Sequence, residues 1–149
     1  MYRYFYIILF SLGLGLLFSC SGENKDETEA AQCASDFSHL FFNFRYTDSL
    51  RYVTPESERV LQFCASNMSR SAVDSLKNIT DTPSISVQDV VLLNVNEGEC
   101  TVNVDNVIIN DTIGGFPVPS NKSERYRFKL VRHEGAWKVK MEDLPRNEK

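Results

Sequence analysis

Before residue 79 the apolar positions of this chain recur every three to four residues, and from residue 85 they recur every second residue. The first period belongs to helices and the second to strands, so a helical half precedes a strand half. Ala30, Cys33, Phe37, Leu40, Phe41 and Phe44 form one apolar stripe, which predicts a helix over residues 29–45. A short helix is expected over residues 48–53, with Leu50 and Val53 inward. Thr54-Pro55-Glu56 then restarts the pattern. Thr54 can cap, Pro55 suits a first helical position, and Glu56 suits the positive end of the helix dipole. Val60, Leu61, Phe63 and Cys64 carry that helix to about Asn67, and Ser69 caps a last one through Ala72, Val73 and Leu76.

In the strand half, Ile85, Val87, Val91, Leu93 and Val95 alternate with polar residues, while Val90 and Leu92 make the other face apolar as well. Asn96-Glu97-Gly98 reads as a turn. Cys100, Val102 and Val104 alternate cleanly; the apolar set then shifts to Val107 and Ile109, which predicts a bulge or bend. Residues 110–123 form a long connection rich in Gly, Pro, Asn and Ser. Its Phe116 and Val118 either fold over a pocket mouth or pack on the sheet edge. Tyr126, Phe128 and Leu130 alternate with Arg125, Arg127 and Lys129. A turn at His133-Glu134-Gly135 follows, and Trp137, Val139 and Met141 alternate with Lys138, Lys140 and Glu142. Strands with one apolar face need a covering layer. The expected class is therefore α+β, with N-terminal helices packed on an antiparallel sheet of about four strands. The inward strand positions expected on this reading are Val91, Leu93, Val102, Val104, Phe128, Leu130, Trp137 and Val139.

The chain opens with an apolar run of another kind. Residues 4–18 carry no charge, Arg3 flanks them, and a polar, acidic segment follows from Ser21. This is the plan of a signal peptide, short for a membrane span. The run ends in Leu17-Phe18-Ser19-Cys20, which resembles a bacterial lipobox: Leu three places before a Cys and a small residue directly before it. The resemblance implies cleavage before Cys20 and lipidation of Cys20, a membrane anchor of more than one acyl chain. It divides the chain into a signal peptide (1–19), a flexible acidic tether (20–29), a folded domain (30–144) and a tail (145–149). Lys25-Asp26-Glu27 resembles the lipoprotein export signal of Bacteroidetes. That likeness implies a cell-envelope location at the outer membrane, on its outer face.

Composition narrows the function classes. The 149 residues carry a net charge of −4, which does not favour a nucleic-acid partner, and two His leave little room for a His-rich metal site. No cofactor is implied. Cys33, Cys64 and Cys100 remain once Cys20 is acylated, so at most one internal bridge can form, with Cys64–Cys100 the candidate pair. The other reading makes all three small buried hydrophobes. The basic positions Arg125, Arg127, Lys129, Lys138 and Lys140 form a solvated face or meet an anionic partner.

The closing hairpin, Arg127-Phe128-Lys129-Leu130-Val131 followed by Gly135-Ala136-Trp137-Lys138-Val139, resembles that of NTF2-like (cystatin-like) domains. Asp36-Phe37 and Tyr52-Val53-Thr54-Pro55-Glu56 resemble the helical start of small lipoproteins of the DUF4878 type. The resemblance implies a curved antiparallel sheet wrapping a long helix, with a cone-shaped cavity between them. It places Tyr46, Asp48, Arg51 and Tyr52, with Phe116, at the rim of that cavity. Such a fold hosts enzymes, binders and interaction modules alike. No inward acid paired with a Tyr or His is evident, so the expectation is a lipid-anchored domain that binds a small ligand or a protein partner. The alternatives are a small hydrolase, isomerase or dehydratase, and a structural or inhibitory module, including a homodimer paired through a sheet edge.

Overall fold

The structure is a computed structural model that describes residues 22–109 and 117–148. Cys20, the lipobox and Phe116 lie outside the described residues. The architecture is α+β, with a helical layer on one face of a four-stranded antiparallel sheet. Helix α1 (Gly22–Phe41) is followed by α2 (Tyr46–Ser49), 3-10 turns at Leu50–Tyr52 and Pro55–Ser57, α3 (Glu58–Ser66) and α4 (Arg70–Leu76). The main strands are β1 (Ser84–Asn94), β2 (Glu97–Asp105), β5 (Glu124–His133) and β6 (Ala136–Lys140), in spatial order β1-β2-β5-β6. A two-stranded ribbon, β3 (Ile108–Ile109) with β4 (Val118–Pro119), lies beyond the end of β2.

The stripe on α1 covers the sheet as its period demands. Ala30, Ala34 and Phe37 have no exposed surface, and neither do Val102, Val104, Leu130 and Val139 beneath them. Phe37 meets Phe128 edge-on with ring centroids 5.4 Å apart. Cys33 donates its thiol hydrogen to the Trp137 carbonyl at 3.1 Å, fixing the helix over β6.

The helix begins earlier than its apolar stripe predicts. Residues 22–29, expected as a flexible tether, form its first turns. Lys25 pairs with Glu29 one turn on, and Asp26 meets Arg132 of β5 at 2.6 Å. The polar composition reads as linker, yet it suits an exposed helical end held by the Asp26–Arg132 ion pair. The other end stops at Phe41 rather than 45. Arg45 N–H bonds the Leu40 carbonyl at 2.9 Å and Phe44 N–H bonds that of Phe41 at 3.0 Å. This is a Schellman termination, with Phe44 at φ 60° in the position glycine normally fills.

The segment between the helices closes the free edge of β6. Val53 bridges Val139, Thr54 N–H bonds the Val139 carbonyl at 3.1 Å, and Met141 N–H donates to the buried Ser57 Oγ at 2.8 Å. Ser69 caps α4, accepting from Ala72 N–H at 3.1 Å.

Strand β1 corrects one expectation. Its register against β2 shifts between Val87 and Asp89, a bulge at Gln88. A one-residue slip exchanges the faces of every later residue. Ile85 and Val87 face the core, then Val90 and Leu92 do, while Val91 and Leu93 stand exposed. The first hairpin turns at Val95-Asn96, with Asn94 opposite Glu97, one residue ahead of the predicted turn. The last hairpin is as read: Glu134 (φ 51°) and Gly135 (φ 82°) make the positive-φ turn that matches strand twist.

The tail is also part of the fold. Asn147 bridges Tyr126, Glu148 N–H bonds the Arg125 carbonyl at 2.8 Å, and the Glu148 carboxylate meets Arg127 Nε at 2.9 Å. It occupies the stretch of β5 that the shorter β6 leaves unpaired.

Candidate functional site

Aromatic residues are concentrated where α1 ends, and they do not all fill space. Phe41, Phe42, Phe44 and Tyr46 surround the Schellman turn. Phe63, Cys64, Asn67 and Met68 approach from α3 and its exit, Val107 and Ile108 from the sheet end, Tyr126 from β5, and Leu144 and Pro145 from the tail. Together they line a groove of about 480 Å³, within the usual range for small-molecule sites.

Local sequence explains each wall. The Schellman turn points Phe44 away from the helix axis, and its ring stands 5.9 Å from that of Tyr46. Phe42 tilts against Tyr126 at 4.6 Å. On α3, Val60 and Leu61 are buried against the core, while Phe63 falls off that arc, 59% exposed at the groove lip. The positive φ at Asn106 (57°) breaks β2 and swings Val107 and Ile108 toward the same end.

The groove favours uncharged chemistry. Burial raises the Tyr46 hydroxyl pKa well above the usual phenol range, with a smaller push from Cys64. Burial likewise raises Cys64 itself. Tyr126 is raised by burial and by its hydrogen bond to Glu124. All three therefore stay protonated near neutral pH, so the polar atoms at the walls are neutral. Asn67 already donates to the Phe63 carbonyl at 2.9 Å, leaving its carbonyl oxygen as a polar contact. Among the described residues, no cluster of three or more His, Cys, Asp or Glu could hold a metal ion.

The structure separates the residues expected at a pocket rim. Tyr46 lines the groove. Asp48 points to solvent and pairs with Arg45 at 2.7 Å. Arg51 and Tyr52 lie elsewhere, in a shallow depression beside Cys33, Trp137 and Lys138, with the guanidinium 4.9 Å above the Tyr52 ring. The rotation between α2 and the 3-10 turn at Leu50–Tyr52 sends them to another face. Phe116 lies outside the described residues.

The candidate Cys64–Cys100 bridge is not formed. Cys33, Cys64 and Cys100 are free thiols. Cys64 lines the groove while Cys100 faces the core opposite Phe128 in the middle of the sheet. Burial raises Cys33 to about 11 and Cys100 to about 12.

Sequence reading missed Phe63, Met68, Val107, Ile108, Leu144 and Pro145 as groove residues. Phe63 carried a signal, since the helix buries Val60 and Leu61 and a third large apolar residue falls off that arc. Leu144 and Pro145 carried none, because nothing local predicts that the tail returns to β5.

The basic outer face is partly balanced. Arg127 meets Glu148 and, at 3.9 Å, Glu99, while Arg125 Nε donates to Asn103 at 3.3 Å and Lys138 donates to the Arg51 carbonyl.

No family model matches the chain, and no curated protein matches it either. Among solved structures, the chain is similar to a Campylobacter jejuni protein described as an NTF2-like transpeptidase. The identity is 13% and the TM-score 0.48, over 74% of this chain and 96% of that one. No chemistry is carried across a likeness of that size, and the groove stands on its own geometry.

Proposed function

We propose that this chain is a lipid-anchored NTF2-like domain of the cell envelope that binds an apolar small ligand in the groove at the end of α1. The groove carries the reading. Its lining is aromatic and aliphatic, and its hydroxyl and thiol groups are held protonated. General acid–base work would call for a group poised near the working pH, so these walls suit holding a ligand better than turning one over. Phe44 adds a second support. A bulky side chain in the left-handed region is costly and persists where surroundings impose it, often at ligand sites.

The anchor rests on the lipobox-like Leu17-Phe18-Ser19-Cys20. Among the described residues no helix is long and apolar enough to cross a membrane. Attachment through acyl chains on Cys20 is the part of this reading that a Cys20→Ala variant tests, by loss of fatty-acid labelling.

Binding is tested by titrating an environment-sensitive, uncharged apolar dye, Nile red, into the folded chain. Phe63→Glu changes an exposed lip residue, so the fold should survive. The expected result is an affinity about tenfold weaker, the loss of one well-packed apolar contact plus a charge at the lip. Equal affinity in both proteins contradicts the groove.

A further inference from the structure

The hairpin β1–β2 ends in the most exposed large apolar residues of the described chain. Val95 is 73% exposed and Leu93 61% exposed. Past the bulge at Gln88, a second register shift between Leu92 and Asn94 leaves Leu93 without a cross-strand partner, so this exposure is built into the strand rather than left over from a poor alternation. Leu93 and Val95 stand two residues apart at one hairpin tip, so together they offer a small apolar contact.

The position of the tip gives the partner. Arg132 N–H bonds the Asn96 carbonyl at 2.8 Å, which sets the two hairpin tips side by side. Arg132 also holds Asp26 at 2.6 Å, with its guanidinium 5.1 Å above the Trp137 ring. The N-terminal end of α1 is thus clamped at the same end of the sheet as Leu93 and Val95. From Asp26 back to Gly22 the helix rises about 6 Å. Two further residues to Cys20 add at most about 7 Å, whatever path they take. An anchor at Cys20 therefore lies within about 15 Å of the clamp.

We propose that the end of the domain formed by the Leu93–Val95 tip and the Asp26–Arg132 clamp rests on the lipid bilayer, with Leu93 and Val95 entering its interface. This rests on the lipid-anchor reading above, which supplies the membrane. The structure adds the orientation: with almost no slack between anchor and clamp, the bilayer is the surface these side chains meet. The same end carries Glu97 and Glu134, so the contact is apolar and should not strengthen as salt is lowered. The groove faces the other way, since Phe41, Val107 and Tyr126 lie at the far end of α1 and of the sheet.

The test uses the full lipidated chain in phosphatidylethanolamine/phosphatidylglycerol vesicles whose acyl chains carry bromine near the headgroup. Val95→Trp adds a reporter at the tip; Val118→Trp, at an exposed position of the opposite end, is the control. The expected result is about twofold quenching of the added Val95→Trp emission, as for a ring in the interface, and none at Val118→Trp. A chain that floats with the vesicles but shows equal emission at both sites overturns the orientation alone. A blue-shifted tip emission that bromine leaves untouched and dilution abolishes assigns the tip to a second copy, and also overturns it. A chain that does not float and carries no acyl mass on Cys20 removes the anchor, and the bilayer contact with it.

Discussion

Helix α1 and the turn that ends it use aromatic residues in opposite ways. In its next-to-last turn, Phe37 is fully buried, stacked on Phe41 and edge-on to Phe128, above a floor of Val102, Val104, Leu130 and Val139. One turn later, Phe42, Phe44 and Tyr46 line open space. Composition is similar in both places. The difference is the backbone: a regular helix lays Phe37 flat on the sheet, whereas the Schellman turn lifts the chain off it. The first region is stability and the second is a surface for something else.

That contrast can be broken from the stable side first. Phe37→Ala should lose about 3–5 kcal/mol, the range for truncating a fully buried aromatic, read from the shift of the denaturant midpoint. A loss under about 1 kcal/mol would mean that the space refills and the interior is not close-packed. The buried thiols give a pH signature. Cys33 and Cys100 have folded pKa values of about 11 and about 12, raised by burial from 9.0. Folded protein then holds protons that unfolded protein has released, so the stability they contribute is full below about pH 9 and declines as pH rises toward 11–12. Tyr46 and Tyr126, also raised, act in the same direction. A urea midpoint that stays flat from pH 8.5 to 10.5 would contradict this.

Ser57→Ala should lose about 1–3 kcal/mol, because it leaves the buried Met141 N–H without its acceptor. Hydrogen exchange at Met141 should speed up accordingly; an unchanged rate would show that another acceptor takes over. The smallest effect is the most diagnostic. Phe44→Gly relieves a left-handed phenylalanine and should be neutral or stabilising by up to about 1 kcal/mol, while weakening dye binding. Loss of stability together with unchanged binding would make Phe44 a packing residue.

The periodicities made most of the architecture legible. Phe37, Val102, Val104, Phe128, Leu130, Trp137 and Val139 are in the core where alternation and helical spacing put them. Three features escaped. The bulge at Gln88 reverses Val91 and Leu93, and nothing in a strand that is apolar on both faces marks where its register slips. The first turns of α1 read as tether because their stability comes from Arg132, more than one hundred residues away in sequence. The groove was only partly legible: Tyr46 lines it, but Arg51 and Tyr52 turn to another face, and the tail closes a wall that local pattern cannot foresee.

The central claim is that the end of α1 is a binding surface while its middle is interior. Backbone and methyl chemical shifts, followed as the uncharged dye Nile red is added, test it directly. The account predicts saturable shifts at Phe44, Phe63, Met68, Val107 and Leu144, with Val102, Leu130 and Val139 unmoved. Shifts centred on the sheet interior, or on the depression around Arg51 and Tyr52, would contradict it.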